Sequence, residues 1–207
     1  MNRVFLASRN PKKLEELRRI LARVVPGVEV LGLDDVTAYD EPAETEPTFE
    51  GNALIKARAG LAATGLPSLA DDSGLCVDAL NAMPGVLSAR WAGAGRDEAA
   101  NNRLLLEQLA DVADDRRGAE FRCAAAFCAP GGYEEVGFGR MRGSIIREQR
   151  GGGGFGYDVV FVPEGHTRTS AELPPDQKDQ ISHRGESLRT VAPLVAAALS
   201  ARRGRQG

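Results

Sequence analysis

The sequence predicts an α/β protein: a mixed sheet flanked by helices, arranged as two lobes around a central groove. Three observations predict it. The first thirty-three residues read as strand, helix, strand. Further helical and extended segments then alternate, with Gly and Pro at the junctions. At 207 residues, 43% of them hydrophobic, the chain has the apolar content for one sizeable core. It is expected to form a single domain of two lobes over 1–207, with 203–207 as a frayed tail.

The elements follow in order. Val4 to Ala7 is a short apolar strand, and Asn10-Pro11 supplies an N-cap and a first-turn proline. Leu14, Leu17, Leu21 and Val24 recur at helical spacing until Pro26-Gly27 stops the helix. Val28 to Leu33 alternates as a strand, and the acidic, proline-containing 40–47 is a loop. Thr48 caps a second helix with Phe49, Ala53, Ile55, Ala57 and Leu61 contributing to its apolar face, ending near Gly65. Ser68-Leu69-Ala70 is a strand that delivers Asp71 and Asp72 at its C-terminal end. A third helix spans Asp97 to about Leu109, with Leu104, Leu105 and Leu109 inward. A hairpin follows over 120–130 and 133–140, then a strand from Ser144 to Arg147. The glycine-rich 151–156 precedes a strand from Asp158 to Val162, and a last helix runs from near Ser182 to about Arg202, with a kink expected at Pro193.

Composition excludes several classes. A net charge of −3 and a pI near 5.6 provide no global basic field for nucleic acid. No apolar run approaches the ~20 residues of a membrane span, and no secretory leader is legible, so a cytoplasmic location is expected. Three cysteines with no C-x-x-C pair read as reduced thiols. H-E-x-x-H and G-x-S-x-G are missing, which removes metalloprotease and serine-hydrolase readings. Of 26 basic residues only Lys12, Lys13, Lys56 and Lys178 are lysine. A compact ammonium is not interchangeable with a guanidinium fork, so these four are places to look.

Ser8-Arg9-Asn10-Pro11-Lys12-Lys13 gathers N–H groups, a hydroxyl and two ammonium groups at a helix N-terminus. That set suits phosphate, and suits an ordinary helix start equally well. Asp71-Asp72-Ser73-Gly74 offers adjacent carboxylates for Mg²⁺, or a tight turn. The acidic loop, with Asp40, Glu41, Glu44 and Glu46, offers a further metal ligand or is simply a solvated charged loop. Asn52 and Lys56 stand one helical turn apart on one face. Gly151 to Gly156 matches G-x-G-x-x-G in letters only, because a strand and not a helix is expected after it. Phe155 beside that loop offers either a stacking face for a base or a core side chain. Lys178, His183 and Arg184 lie around the start of the last helix, donors for a planar oxygen-bearing ligand.

Together and in this order, the motifs resemble those of the inosine triphosphate pyrophosphatases, the dITP/XTP pyrophosphatases. The series is Ser8-x-Asn10-x-x-Lys13-x-x-Glu16, Thr48-Phe49-Glu50-x-Asn52-Ala53-x-x-Lys56-Ala57, Ala70-Asp71-Asp72-Ser73-Gly74-Leu75, Pro84-Gly85-Val86-x-Ser88-Ala89-Arg90, Gly154-Phe155-Gly156-Tyr157-Asp158 and Ser182-His183-Arg184-Gly185. The resemblance implies a two-lobed fold, a homodimer, and Mg²⁺-dependent hydrolysis of ITP, dITP and XTP to monophosphate and pyrophosphate. It implies no stable nucleic-acid or membrane partner. It further implies that Ser8, Arg9, Asn10, Pro11, Lys12, Lys13 and Lys56 hold the triphosphate, and that Asp72 is general base and metal ligand with Glu44. Ser73 would touch the substrate, while Phe155, Gly156, Tyr157, Asp158, Lys178, His183 and Arg184 would surround base and sugar. Arg9 stands where the pattern has glycine, Glu46-Pro47 replaces a glycine-containing stretch, and Val159 stands where proline is frequent.

Overall fold

Asn10 starts the first helix as its sequence requires: its side-chain oxygen accepts from the Lys12 and Lys13 N–H groups, two donors that the helix itself leaves unpaired. This and the following observations come from a computed structural model, which describes residues 3–203. Along the chain run β1 (Arg3–Leu6), α1 (Pro11–Val24), β2 (Glu29–Leu31), α2 (Phe49–Thr64), β3 (Ser68–Val77) and β4 (Met83–Pro84). They are followed by α3 (Glu98–Gln108), β5 (Gly118–Ala129), β6 (Tyr133–Ile145), β7 (Phe161–Pro163), α4 (Pro175–Ile181) and α5 (His183–Arg203). The strands are hydrogen-bonded in the order β2-β1-β3-β5-β6-β7, with β4 beside β3. β1 pairs in parallel with β2 and β3, whereas β3–β4 and β6–β7 are antiparallel, so the sheet is mixed as expected.

Two compact units divide the chain. One comprises Met1–Asp72, Cys123–Gly139 and Arg184–Gly207, the other Ser73–Arg122 and Arg140–His183. In the first, one apolar cluster joins Val4 and Leu6 of β1, Leu17 and Leu21 of α1, Phe127 of β5 and Leu188, Val191 and Val195 of α5. A second joins Phe5, Ala53 and Ala57 of α2 and Ala70, Ala124 and Ala126 of the strands. The small alanines let α2 lie close to the sheet, which brings its polar side chains against β3. In the second unit Leu75, Val77, Leu105, Leu109, Phe121, Tyr157 and Phe161 form the core. Burial of these side chains contributes about 1.5–3 kcal/mol each before the entropy of ordering is counted.

Five expectations are corrected. Asp71 and Asp72 do not end a strand; they lie inside the ten-residue β3, because Leu75, Cys76 and Val77 are buried and carry the strand on. The separate strand expected at Ser144–Arg147 is the end of β6, which continues through Gly143. Glycine is required there, since a Cβ would collide with the Val162 carbonyl and the Phe161 ring of β7. The strand expected from Asp158 begins only at Phe161: Gly156–Val159 is a 3₁₀ turn, pinned by the Asp158 carboxylate accepting from the Phe155 N–H at 2.8 Å. The strand read over 28–33 is confined to Glu29–Leu31, and Leu33–Asp35 is a 3₁₀ turn. Leu104 is half-buried and not fully inward, and α4, with prolines at 174 and 175, precedes the last helix as a separate element. Pro193 lies inside α5, which runs to Arg203; 204–207 of the expected tail lie outside the described residues.

Candidate active site

In the first unit, α1, α2, β3 and α5 gather charge that an apolar core could not tolerate unpaired. Asn10 and Pro11 set the first turn of α1, which projects Lys13 toward β3, where its Nζ donates to Asp71 Oδ2 at 3.0 Å. The same oxygen accepts from Arg184 Nε at 3.1 Å and faces Cys123 Sγ at 3.9 Å. Arg184 NH1 donates to Glu16 Oε2 at 2.6 Å. Asp71 and Arg184 are almost wholly buried, so these are desolvated, charge-assisted contacts.

Asp72 occupies the neighbouring position of β3, and alternation along the strand sends it to different partners. Asn52 Nδ2 donates to its Oδ2 at 3.1 Å, and Lys56 Nζ lies 3.5 Å from its Oδ1. Asn52 and Lys56 thus act from one face of α2, as their spacing predicts. Asn52 also fixes the acidic loop, accepting from the Glu46 N–H and donating to its carbonyl. The loop in turn brings Glu44 Oε1 to 2.9 Å from Lys56 Nζ.

The two adjacent aspartates are pushed in opposite directions. Burial by itself would raise Asp71, but the fields of Lys13, Arg184 and Lys56 and the Lys13 hydrogen bond overcome it and hold the carboxyl far below the usual range. Burial raises Asp72, and Lys56 and Lys13 do not fully offset it while Glu44 and Asp71 add to it. Lys56 is desolvated, yet Asp72, Asp71 and Glu44 together hold its pKa above the ordinary lysine value. One carboxylate is therefore locked ionised, and its neighbour keeps an affinity for a proton. Such divergence is how a pair of similar groups divides acid–base work.

Asp72 and Glu44 converge on one ammonium, and no group of three His, Cys, Asp or Glu side chains suited to a metal gathers among the described residues. Two hard carboxylates suit Mg²⁺, which completes its shell with water and phosphate oxygens, so the donor set fits that ion.

The second unit carries a different cluster. Lys178 Nζ donates to Asp158 Oδ2 at 2.6 Å and lies 5.1 Å from the Phe155 ring centroid. Gly154 makes the turn tight: at φ 68 it sits where a Cβ would strike the Asp158 carboxylate. His183 is buried and stacks on Phe121 with centroids 4.9 Å apart and planes at 10°. Tyr157 is also buried, and its hydroxyl donates to the Ser88 carbonyl at 2.9 Å.

Most expected residues thus fall into two groups: Asn10, Lys13, Lys56, Asp72, Glu44 and Arg184 in one unit, Phe155, Gly156, Tyr157, Asp158, Lys178 and His183 in the other. Ser8 is half-buried between β1 and α1, beside exposed Pro11 and Lys12, and Arg9 pairs with Glu41 at 2.7 Å. Ser73 is half-buried within β3. Glu16 had been given no role, Asp71 only that of one of two adjacent carboxylates for Mg²⁺ or a turn, and Asn52 only a place on the face of Lys56. All three lay inside the quoted motifs, and Glu16 was legible as an acidic residue one turn after Lys13.

This mixed α/β fold gathers the ammonium groups of α1 and α2 against the carboxylates of β3. The chain belongs to the Ham1 family, whose model matches residues 4–194. A relative from Nocardia farcinica, a dITP/XTP pyrophosphatase, is 61% identical over 198 residues, 95% of this chain and 96% of its own. The crystal structure of a nucleoside-triphosphatase / dITP/XTP pyrophosphatase from Mycobacterium abscessus matches with a TM-score of 0.74 at 56% identity, covering 92% of this chain and 99% of that one. The Ham1 protein of Staphylococcus aureus matches with a TM-score of 0.83 at 33% identity over 94% and 98% of the two chains. No helix of the described residues is long and apolar enough to cross a membrane.

Proposed function

We propose that this Ham1-family protein hydrolyses ITP, dITP and XTP to the nucleoside monophosphate and pyrophosphate. The observation that carries the reading is the opposed pair on β3: Asp71 held ionised against Lys13 and Arg184, and Asp72 with a raised proton affinity beside Lys56. The relatives' activity gives the same direction.

A triphosphate brings about four negative charges, and electrostatic stabilisation at the phosphoryl group is the main catalytic demand. Lys13 binds phosphate oxygens at the start of α1, with Ser8, Arg9, Asn10, Pro11 and Lys12 shaping that turn, Ser73 touching the substrate and Lys56 opposing charge near Asp72. Asp72 takes the proton of a water attacking in line at the α-phosphorus, so the water oxygen ends on the monophosphate and pyrophosphate departs. Arg184 enters through Asp71, whose carboxylate it helps to hold. Asp72 and Glu44 would hold Mg²⁺, which supplies screening of the phosphate charge when bound.

In the second unit, Phe155 offers a ring face and Lys178 a donor to the 6-oxo group of the base, with Gly156, Tyr157, Asp158 and His183 around them. A donor aimed at a carbonyl is left unpaired opposite an exocyclic amine, which penalises adenine. The same reading takes the enzyme as cytoplasmic, homodimeric and one catalytic domain, as the family likeness implies.

Hydrolysis of dITP, XTP, dGTP and dUTP by the purified protein with Mg²⁺ tests the assignment. Preference for dITP and XTP is expected; preference for dGTP or dUTP overturns the base assignment.

A further inference from the structure

The stretch Pro84 to Arg90 is one of the motifs quoted above, and no role was assigned to it there. Its structure gives it a use. Gly85–Arg90 is a 3₁₀ turn whose Ser88 hydroxyl accepts from the Leu75 N–H at 2.9 Å and donates to the Gly85 carbonyl at 2.6 Å. That ties the turn to β3. The Ser88 carbonyl then accepts from the Tyr157 hydroxyl at 2.9 Å. From the other side, Asn101 of α3 closes the end of the turn, donating to the Ala89 carbonyl and accepting from the Ala92 N–H. Its neighbour Asn102 spends both amide hydrogens on carbonyls, Glu98 and Gly156, each at 2.8 Å.

Tyr157, Asn102 and Ser88 are all buried, at 4%, 2% and 7% exposure, where the bonds made by the Tyr157 hydroxyl and the Asn102 amide nitrogen offset the cost of taking those donors out of water. Both bonds end on or at the 156–159 turn, the same turn that carries Asp158 and so fixes Lys178 over Phe155. A side chain whose position depends on a tight turn moves when the turn is released, and sub-ångström errors matter in a recognition site.

We propose that Asn102 and Tyr157 are positioning residues for base recognition, acting through the 156–159 turn: Asn102 holds the Gly156 carbonyl, and Tyr157 anchors the turn to Ser88. Tyr157 therefore serves the base through the turn and not by touching it. The inference rests on the reading that Phe155, Asp158 and Lys178 receive the base.

The test measures kcat and KM for dITP and dATP, with thermal midpoints, for the wild type, Tyr157→Phe, Asn102→Ala and Asp158→Asn. Removing one neutral hydrogen bond is expected to raise KM for dITP about three- to tenfold and to lower the dITP-to-dATP preference by a similar factor. For the two positioning variants kcat should fall less than KM rises, and the Tyr157→Phe midpoint should stay close to wild type. If Asp158→Asn changes the preference while both positioning variants keep it, even at a lowered midpoint, Asn102 and Tyr157 are merely structural and the inference fails alone. If Asp158→Asn leaves the preference unchanged, the base is read elsewhere, and the reading falls together with the inference.

Discussion

The charged cluster of the first unit and the turn-built cluster of the second solve recognition by different means. On β3, strength comes from desolvated full charges: Asp71 is held by Lys13 and Arg184, Asp72 by Asn52 and Lys56. Around Asp158 the Lys178 ion pair stands beside backbone groups: the Phe155 N–H on the carboxylate, and the carbonyls held by Tyr157 and Asn102. Charge suits phosphate, whose oxygens are the same in every nucleotide. A rigid turn suits a base, which differs from its competitors by one exocyclic group. The contrast predicts that substitutions in the first cluster lower turnover, whereas those in the second alter which nucleotide is taken.

The largest effect is expected from Asp72→Asn, which keeps the shape and removes the base. A fall in kcat of about 10²–10⁴ is expected, the usual worth of a positioned general base, with nucleotide binding kept when measured by calorimetry. The same substitution has a stability signature. Because Asp72 is raised above its unfolded value, its ionised form costs stability at pH values above that raised pKa, and lowering the pH through it removes the cost. Because Asp72→Asn also takes from buried Lys56 its leading opposite charge, the signature lies in the pH dependence: in chelator, the midpoint of the wild type relative to Asp72→Asn should rise as the pH falls through the raised pKa. A wild-type midpoint that falls relative to Asp72→Asn over that range would count against a raised Asp72.

Lys13→Arg comes next. Charge is retained, but a fork replaces a point donor at the 3.0 Å contact with Asp71, and steady-state kinetics should show a loss of about tenfold. Asp158→Asn should act mainly on KM and on the dITP preference, by about three- to tenfold, since it weakens a charge-assisted hydrogen bond to Lys178. Equal losses of kcat for Lys13→Arg and Asp158→Asn would erase the division between the clusters.

That division also governed what the sequence could reveal. Lys13, Lys56, Asp72 and Glu44 could be singled out because the order of the motifs around them resembles a family's, while each alone also fitted an ordinary helix start, turn or solvated loop. The caps Asn10 and Thr48 were readable, since capping is local. Two strand boundaries were misread for non-local reasons. Whether β3 stops at Asp72 depends on the burial of Leu75 and Val77, and whether a strand starts at Asp158 depends on a carboxylate folding back to the Phe155 N–H. Asn102 was invisible, because nothing in Asn101-Asn102 announces a carbonyl 54 residues away.

The smallest effect concerns the thiols. Cys76, Cys123 and Cys128 are buried, and burial pushes the Cys123 and Cys128 thiols up to about 12 and about 11. The folded protein should react with Ellman's reagent only slowly at pH 8, and fully after denaturation. Rapid modification without denaturant would show that the strands around Cys123 open readily.

The central claim is that water attacks the α-phosphorus beside Asp72. Hydrolysis of dITP in heavy-oxygen water, with mass spectrometry of both products, tests it most directly. The account predicts one labelled oxygen in the monophosphate and none in the pyrophosphate; label in the pyrophosphate, or release of orthophosphate, would contradict it.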